Sequence, residues 1–169
     1  MRKDRKRTLQ MTQAAMIAAV YVILTFLANS LGLANYAIQV RFSEALTVLP
    51  YFTPAAIPGL FAGCLLSNLL TGCMPLDVIF GSIATLIGAA GTYMLRKNRY
   101  LAPVPPILAN TLIIPFILAY VYQFEGSIPY FMVTVGIGEV ISCGVLGMTL
   151  LLVLCRYQNH GSHEGWWLA

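Results

Sequence analysis

The sequence is short of charge. Lys, Arg, Asp and Glu make up only 9% of its 169 residues, against 59% hydrophobic residues and a mean hydropathy of +0.77. A soluble domain carries about 25% charged residues, so an ordinary soluble domain is excluded. A disordered chain is excluded too, because it needs low hydrophobicity and high net charge. Histidine is scarce. His160 and His163 both lie in a polar tail, where solvation accounts for them. The four cysteines, Cys64, Cys73, Cys143 and Cys155, form no C-x-x-C pair. They read as small buried residues rather than as a disulfide or metal site. No Walker A, H-E-x-x-H or G-x-S-x-G motif occurs. That removes an ATPase and argues against an enzyme of any kind. There is no internal repeat, no low-complexity tract and no sign of a cofactor.

What the sequence has in abundance is apolar runs. A helix crosses a bilayer with about 20 apolar residues, so six spans come near the ceiling for this length. The expected class is all-α: an integral membrane bundle of six transmembrane helices. The runs fall at about Leu9–Ala28, Arg41–Pro50, Ala55–Leu70, Leu76–Leu95, Ile107–Tyr122 and Tyr130–Leu154. The second is weak, with an apolar stretch well below the roughly 17 residues needed to span alone. It is either tilted or extended by Asn35–Val40. Arg96–Pro106 is polar and then proline-rich, and reads as a loop. Residues 1–8 form a basic cytoplasmic segment, 9–157 the membrane domain and 158–169 a polar tail. The basic start resembles a signal peptide, but its apolar run is long and five similar runs follow. It reads as a retained first helix.

The charges are placed unevenly. Five of the ten basic residues are Arg2, Lys3, Arg5, Lys6 and Arg7; Arg96, Lys97 and Arg99 form a second group, and Arg156 closes the last run. Basic residues flanking apolar runs mark the cytoplasmic side. The expectation is therefore a multi-pass protein of the cell membrane with both termini cytoplasmic, held in the lipid bilayer, with no nucleic-acid partner. Arg41, Glu44, Asp77, Glu125 and Glu139 then fall on the outer half, which places a polar site facing outward.

Ionisable residues inside membrane helices are expensive and default to functional candidates. Glu139 lies within Val135-Gly-Ile-Gly-Glu-Val140, deep in an apolar run. It is either a ligand contact or a carboxylate satisfied by another helix. Arg41 and Glu44 are spaced to share one helical face, as a simple ion pair or as the mouth of a pocket. Asp77 either caps a helix or reads a ligand. Asn68 and Asn110 either bond between helices or read a base. Glu125 is expected to be solvated. Ala14 and Ala18, with Ala15 and Ala19, form two overlaid small-residue patterns that allow close helix approach.

One stretch is specific. Gln39-Val-Arg-Phe-Ser-Glu-Ala-Leu-Thr-Val-Leu-Pro50, followed by Thr53-Pro-Ala-Ala-Ile-Pro-Gly-Leu-Phe-Ala-Gly63, resembles the QueT family of queuosine-precursor transporters. The resemblance continues through Asn68, Leu76-Asp-Val-Ile-Phe-Gly-Ser-Ile-Ala-Thr85, Leu101-Ala-Pro-Val-Pro-Pro106, Asn110 and Gly138-Glu139. It implies a substrate-binding (S) component of an energy-coupling factor transporter, working with a transmembrane T component and two cytoplasmic ATPases. Such a subunit captures its substrate outside and topples in the membrane to release it inside. The resemblance implies that alanines of the first helix meet the T component: Ala14 and Ala18, or Ala15 and Ala19 in the other register.

The implied substrate is a deazaguanine base. One carboxylate can accept the ring N–H and exocyclic amine of a guanine-type edge together, and Glu139 suits that role. Glu44 or Asp77 would neutralise an aminomethyl cation, Asn68 and Asn110 would serve the carbonyl or ring nitrogens, and Arg41 would orient Glu44 or gate the pocket. The connection Asn29–Gln39 is either the gate or an ordinary loop. Two other readings stay open. One is an S component for another vitamin or base; the other is a stand-alone carrier using Glu139 or Asp77 as a proton-coupling acid.

Overall fold

The computed structural model describes residues 2–33 and 39–160. Among them every regular element is helical. Helix α1 covers Arg2–Ser30, α2 Ala56–Leu70, α3 Pro75–Met94, α4 Val104–Tyr120, α5 Ile128–Glu139 and α6 Met148–His160. A 3₁₀ helix, Phe42–Tyr51, lies between α1 and α2, and a π-helical stretch, Val140–Gly147, joins α5 to α6 without a break. Four helical stretches are long and apolar enough to cross a membrane: Asp4–Ser30, Pro75–Met94, Arg99–Tyr120 and Ile128–Gln158. The architecture is the all-α membrane bundle that the apolar runs imply.

Several boundaries differ from the sequence expectation, each for a physical reason. Helix α1 begins near the chain start because Arg and Lys are good helix formers and nothing before Leu9 breaks the turn. Residues 104–106 are not part of a loop. Pro105 and Pro106 occupy the first turn of α4, where a missing N–H costs nothing. They also seat that turn on α3. A Cβ at Gly88 would come 2.7 Å from Pro106 Cα, and one at Gly91 2.5 Å from Pro105 Cβ. The final run is longer than expected and carries the π stretch in its middle. At its far end the helix reaches His160; residues 161–169 lie outside the described residues.

The weak second run is the 3₁₀ helix. At about 2.0 Å per residue it is shorter than the roughly 30 Å hydrocarbon core, and it is an interior element. Ser43 through Val48 and Pro50 are all buried. It packs on α1, α3 and the π stretch. The apolar window of α1 is only 22% buried, against 50% for α3 and α4, so α1 lies at the perimeter. Large exposed apolar side chains occur on every long helix, among them Ile23, Ile87, Leu112, Val133 and Val153. An outer surface of this kind suits lipid rather than water.

Helices α1 and α2 touch backbone to backbone. A Cβ at Gly59 would lie 2.7 Å from the Ala14 carbonyl oxygen, and one at Gly63 2.8 Å from Tyr21 Cβ and 3.1 Å from Ala18 Cα. Small residues permit this approach. It sets Tyr21 facing inward, where it is 1% exposed.

Candidate functional site

Polar side chains collect in two places. The first is a cavity of about 490 Å³ at the bundle end formed by the end of α1, the start of the 3₁₀ helix, the end of α2 and the start of α3. Arg41, Asn68 and Asp77 stand on its walls, with Tyr122, Phe124 and Phe131 supplying aromatic surface. Glu125 is exposed in its loop, as expected, and also lines this cavity. Gln39, too, is on the wall, and its side-chain oxygen accepts from Arg41 Nη2 at 3.3 Å. The backbone around Arg41 is clamped. The Gln39 carbonyl sits against Gly138, leaving no room for a Cβ there, and Arg41 N donates to Ser142 Oγ at 3.1 Å.

Asp77 is the third residue of α3. Its Oδ2 accepts from the Tyr122 hydroxyl at 2.8 Å. That hydroxyl accepts from Met74 N at 3.3 Å, so its single proton is committed to Asp77. Burial and the neighbouring carboxylate hold the Tyr122 hydroxyl above its ordinary range, which keeps it a donor.

The second place is buried. Asn110 is one turn before Ile114 on α4, Glu44 one turn beyond Arg41, and Glu139 two turns beyond Phe131 on α5. Glu44 is 1% exposed and Glu139 6%. Glu44 Oε1 accepts from the Tyr21 hydroxyl at 2.6 Å, whereas its Oε2 is buried with no hydrogen-bond partner among the described residues. The Cys143 thiol lies 3.2 Å from Glu139 Oε2 and 3.4 Å from the Glu44 carbonyl. The ligating atoms of Glu44, Glu139 and Cys143 are all within 4.8 Å of one another, and Asn110 neighbours both carboxylates. Two carboxylates this close in a dry interior need a shared proton, a cation or a ligand's N–H donors between them.

The six candidates therefore separate into Arg41, Asn68 and Asp77 at the cavity and Glu44, Asn110 and Glu139 beneath it. The sequence reading missed Tyr21 and Tyr122, which orient the two acids. Their one signal is chemical: a buried phenol needs a partner for its O–H. The π stretch went unforeseen as well. Such turns often mark functional sites, and this one starts beside Glu139 and carries Ser142 and Cys143.

The alanines of α1 divide by register. Ala18 is buried and Ala14 half-buried against α2, while Ala15 and Ala19 are exposed. A groove of about 520 Å³ runs along this seam between Ala14, Ala15 and Ala18 on one side and Pro58, Gly59 and Ala62 on the other. Of the connection Asn29–Gln39, residues 34–38 lie outside the described residues; Asn29 and Gln39 both reach the cavity wall.

Comparison with known proteins adds an independent finding. The family model described as QueT transporter matches residues 11–156. The queuosine precursor transporter QueT of Lactococcus lactis subsp. cremoris (strain MG1363) is 34% identical over 83 residues, which are 49% of this chain and 48% of that protein. The matched part of the chain thus spans about half the length of that relative. No solved structure matches.

Proposed function

The chain belongs to the QueT transporter family, and from that membership we propose that it is the membrane-embedded S component of an energy-coupling factor transporter for a queuosine precursor. The ligand in this reading is a deazaguanine base, taken up outside the cell and delivered inward. One observation carries it. A cavity large enough for a heterocycle opens next to a buried pair of carboxylates, and one oxygen of that pair, Glu44 Oε2, has no hydrogen-bond partner among the described residues. A guanine-type edge brings two adjacent N–H donors, the complement such oxygens require.

In this reading Glu139 accepts the paired N–H groups, Asn110 and Asn68 meet the carbonyl or ring nitrogens, and Arg41 orients Glu44. Tyr21 holds Glu44 in place. The basic N-terminal turn of α1, the Arg96–Arg99 segment and Arg156 face the cytoplasm by the positive-inside rule, and the cavity faces outward.

Delivery is assigned to partners. The protein has no ATP-binding motif, so energy comes from a T component and two ATPases against which the S component topples. The exposed register of α1, Ala15 and Ala19, supports that face as the T-component contact, because Ala14 and Ala18 are already turned to α2.

Titration calorimetry of the detergent-purified protein tests the ligand class, with aminomethyl-deazaguanine, queuine and guanine as titrants. Tight binding of a deazaguanine with guanine much weaker supports the reading. Binding of none of them removes the ligand and leaves only the family fold.

A further inference from the structure

We propose that Asp77, positioned by Tyr122, sorts ligands by charge: the cavity receives a planar base bearing one cationic amine, and Asp77 Oδ1 takes the ammonium. The proposal rests on the deazaguanine reading above and assigns a role that reading leaves between two acids.

The assignment follows from access. Glu44 is 1% exposed and is not on the cavity wall; its one hydrogen-bonded oxygen is already held by Tyr21. Glu125 reaches the wall from an exposed loop position, where water screens its charge. Asp77 is on the wall and only 5% exposed, so its carboxylate acts in a partly dry setting. Its Oδ2 is occupied by Tyr122. Its Oδ1 has no hydrogen bond among the described residues, and a Cβ at Gly81 would stand 3.4 Å from that oxygen and 3.2 Å from Asn68 Nδ2. Asn68, also on the cavity wall, stands beside Oδ1.

The surroundings favour a cation on a flat group. The Tyr122 and Phe124 rings stack at 5.6 Å with an interplanar angle of 23°, and both line the cavity. Aromatic faces attract ammonium groups. Arg41, the one cationic side chain among the described residues of the wall, donates through Nη2 to the Gln39 side chain at 3.3 Å and lies within electrostatic reach of Asp77, so a ligand ammonium would share that carboxylate's field with it. Tyr122 contributes by fixing the Asp77 carboxylate so that Oδ1 stays directed at the ligand rather than turning to cap α3. It is a positioning residue.

The experiment compares two deazaguanines that differ only in the substituent: aminomethyl, which is cationic, and nitrile, which is neutral. Calorimetry on the full-length wild-type protein is expected to favour the cation by roughly tenfold, the margin of a charged over a neutral hydrogen bond. Asp77→Asn keeps the shape and the ability to accept from Tyr122. It should bring the ratio close to one while nitrile binding persists, and the retained nitrile binding shows that the variant is folded. Tyr122→Phe should lower the ratio in part. A wild-type protein without preference, or a preference unchanged in Asp77→Asn, overturns the proposal and leaves the ligand reading intact. If Asp77→Asn binds neither base, Tyr122→Phe decides: a reduced ratio supports the proposal and an unchanged one overturns it. Failure of the wild-type protein to bind either base overturns the ligand reading and this assignment together.

Discussion

Tyr21 and Glu44, 23 positions apart, meet through a 2.6 Å hydrogen bond in which the phenol donates to Oε1. The pairing depends on the α1–α2 seam. Gly63 lets α1 come close enough for Tyr21 to turn inward, and the 3₁₀ helix brings Glu44 to it. One carboxylate oxygen is thereby fixed and the other is left free beside Glu139.

Replacing Tyr21 with Phe keeps the ring and removes the donor. An unsatisfied buried oxygen costs about 1–3 kcal/mol. Tyr21→Phe should therefore lower the thermal unfolding midpoint in detergent and weaken deazaguanine binding several-fold. Unchanged midpoint and affinity would mean that Oε1 finds a second donor without loss.

Glu139→Gln removes one member of the carboxylate pair but preserves its volume. Under the proposed function, the charge-assisted contact to the base edge is lost. Affinity should fall by roughly tenfold or more, with the midpoint held or raised because the buried charge repulsion is gone. Wild-type affinity in this variant takes Glu139 out of the binding site.

The helix seam makes a stability prediction that is independent of ligand. Gly63→Leu forces a side chain into the α1 backbone and should cost about 1–3 kcal/mol, the usual range for overpacking. Gly144→Ala is the control, since its Cβ would meet only Val140 Cγ1 at 3.7 Å and Ile107 Cδ1 at 3.9 Å. Thermal melts of the two variants should separate clearly. Equal melts would show that α1 moves aside without penalty.

The exposed alanines give a functional counterpart. Ala15→Trp and Ala19→Trp should stop uptake in cells while calorimetric binding stays normal, because both side chains are exposed. Ala18→Trp should instead lower stability, since Ala18 is 8% exposed and lies against Gly63. Normal uptake in both exposed variants removes this face as the T-component contact.

The parts of this protein that were legible in its sequence are those governed by bulk hydrophobicity. Long apolar runs announce α1, α3, α4 and the α5–α6 helix, and intramembrane acids stand out because burying them is costly. The Arg41–Pro50 segment was harder to read. Its apolar stretch is too short to declare a span, and only the surrounding helices explain a buried 3₁₀ helix there. Pro103–Pro106 looked like a loop because proline usually interrupts, yet two of those prolines fit a first turn that lands on Gly88 and Gly91. The tyrosines escaped notice for a different reason. Tyr21 and Tyr122 are ordinary aromatic residues until contacts 23 and 45 positions away show what their hydroxyls hold.

The π-helical stretch sets a rotational phase. An α-helix advances by about 100° per residue, and the wider turns of residues 140–147 shift everything beyond them relative to α5. Glu139 and Cys143 thereby answer to the polar centre, while Leu151, fully buried with Val48 and Ala102, answers to the other end of the bundle. Removing one residue from a regular helix turns everything beyond it by about 100°, so the phase of Leu151 depends on how many residues this segment holds and on how widely they turn. The length of this segment is therefore constrained to the residue, even where the identities of its apolar side chains are not.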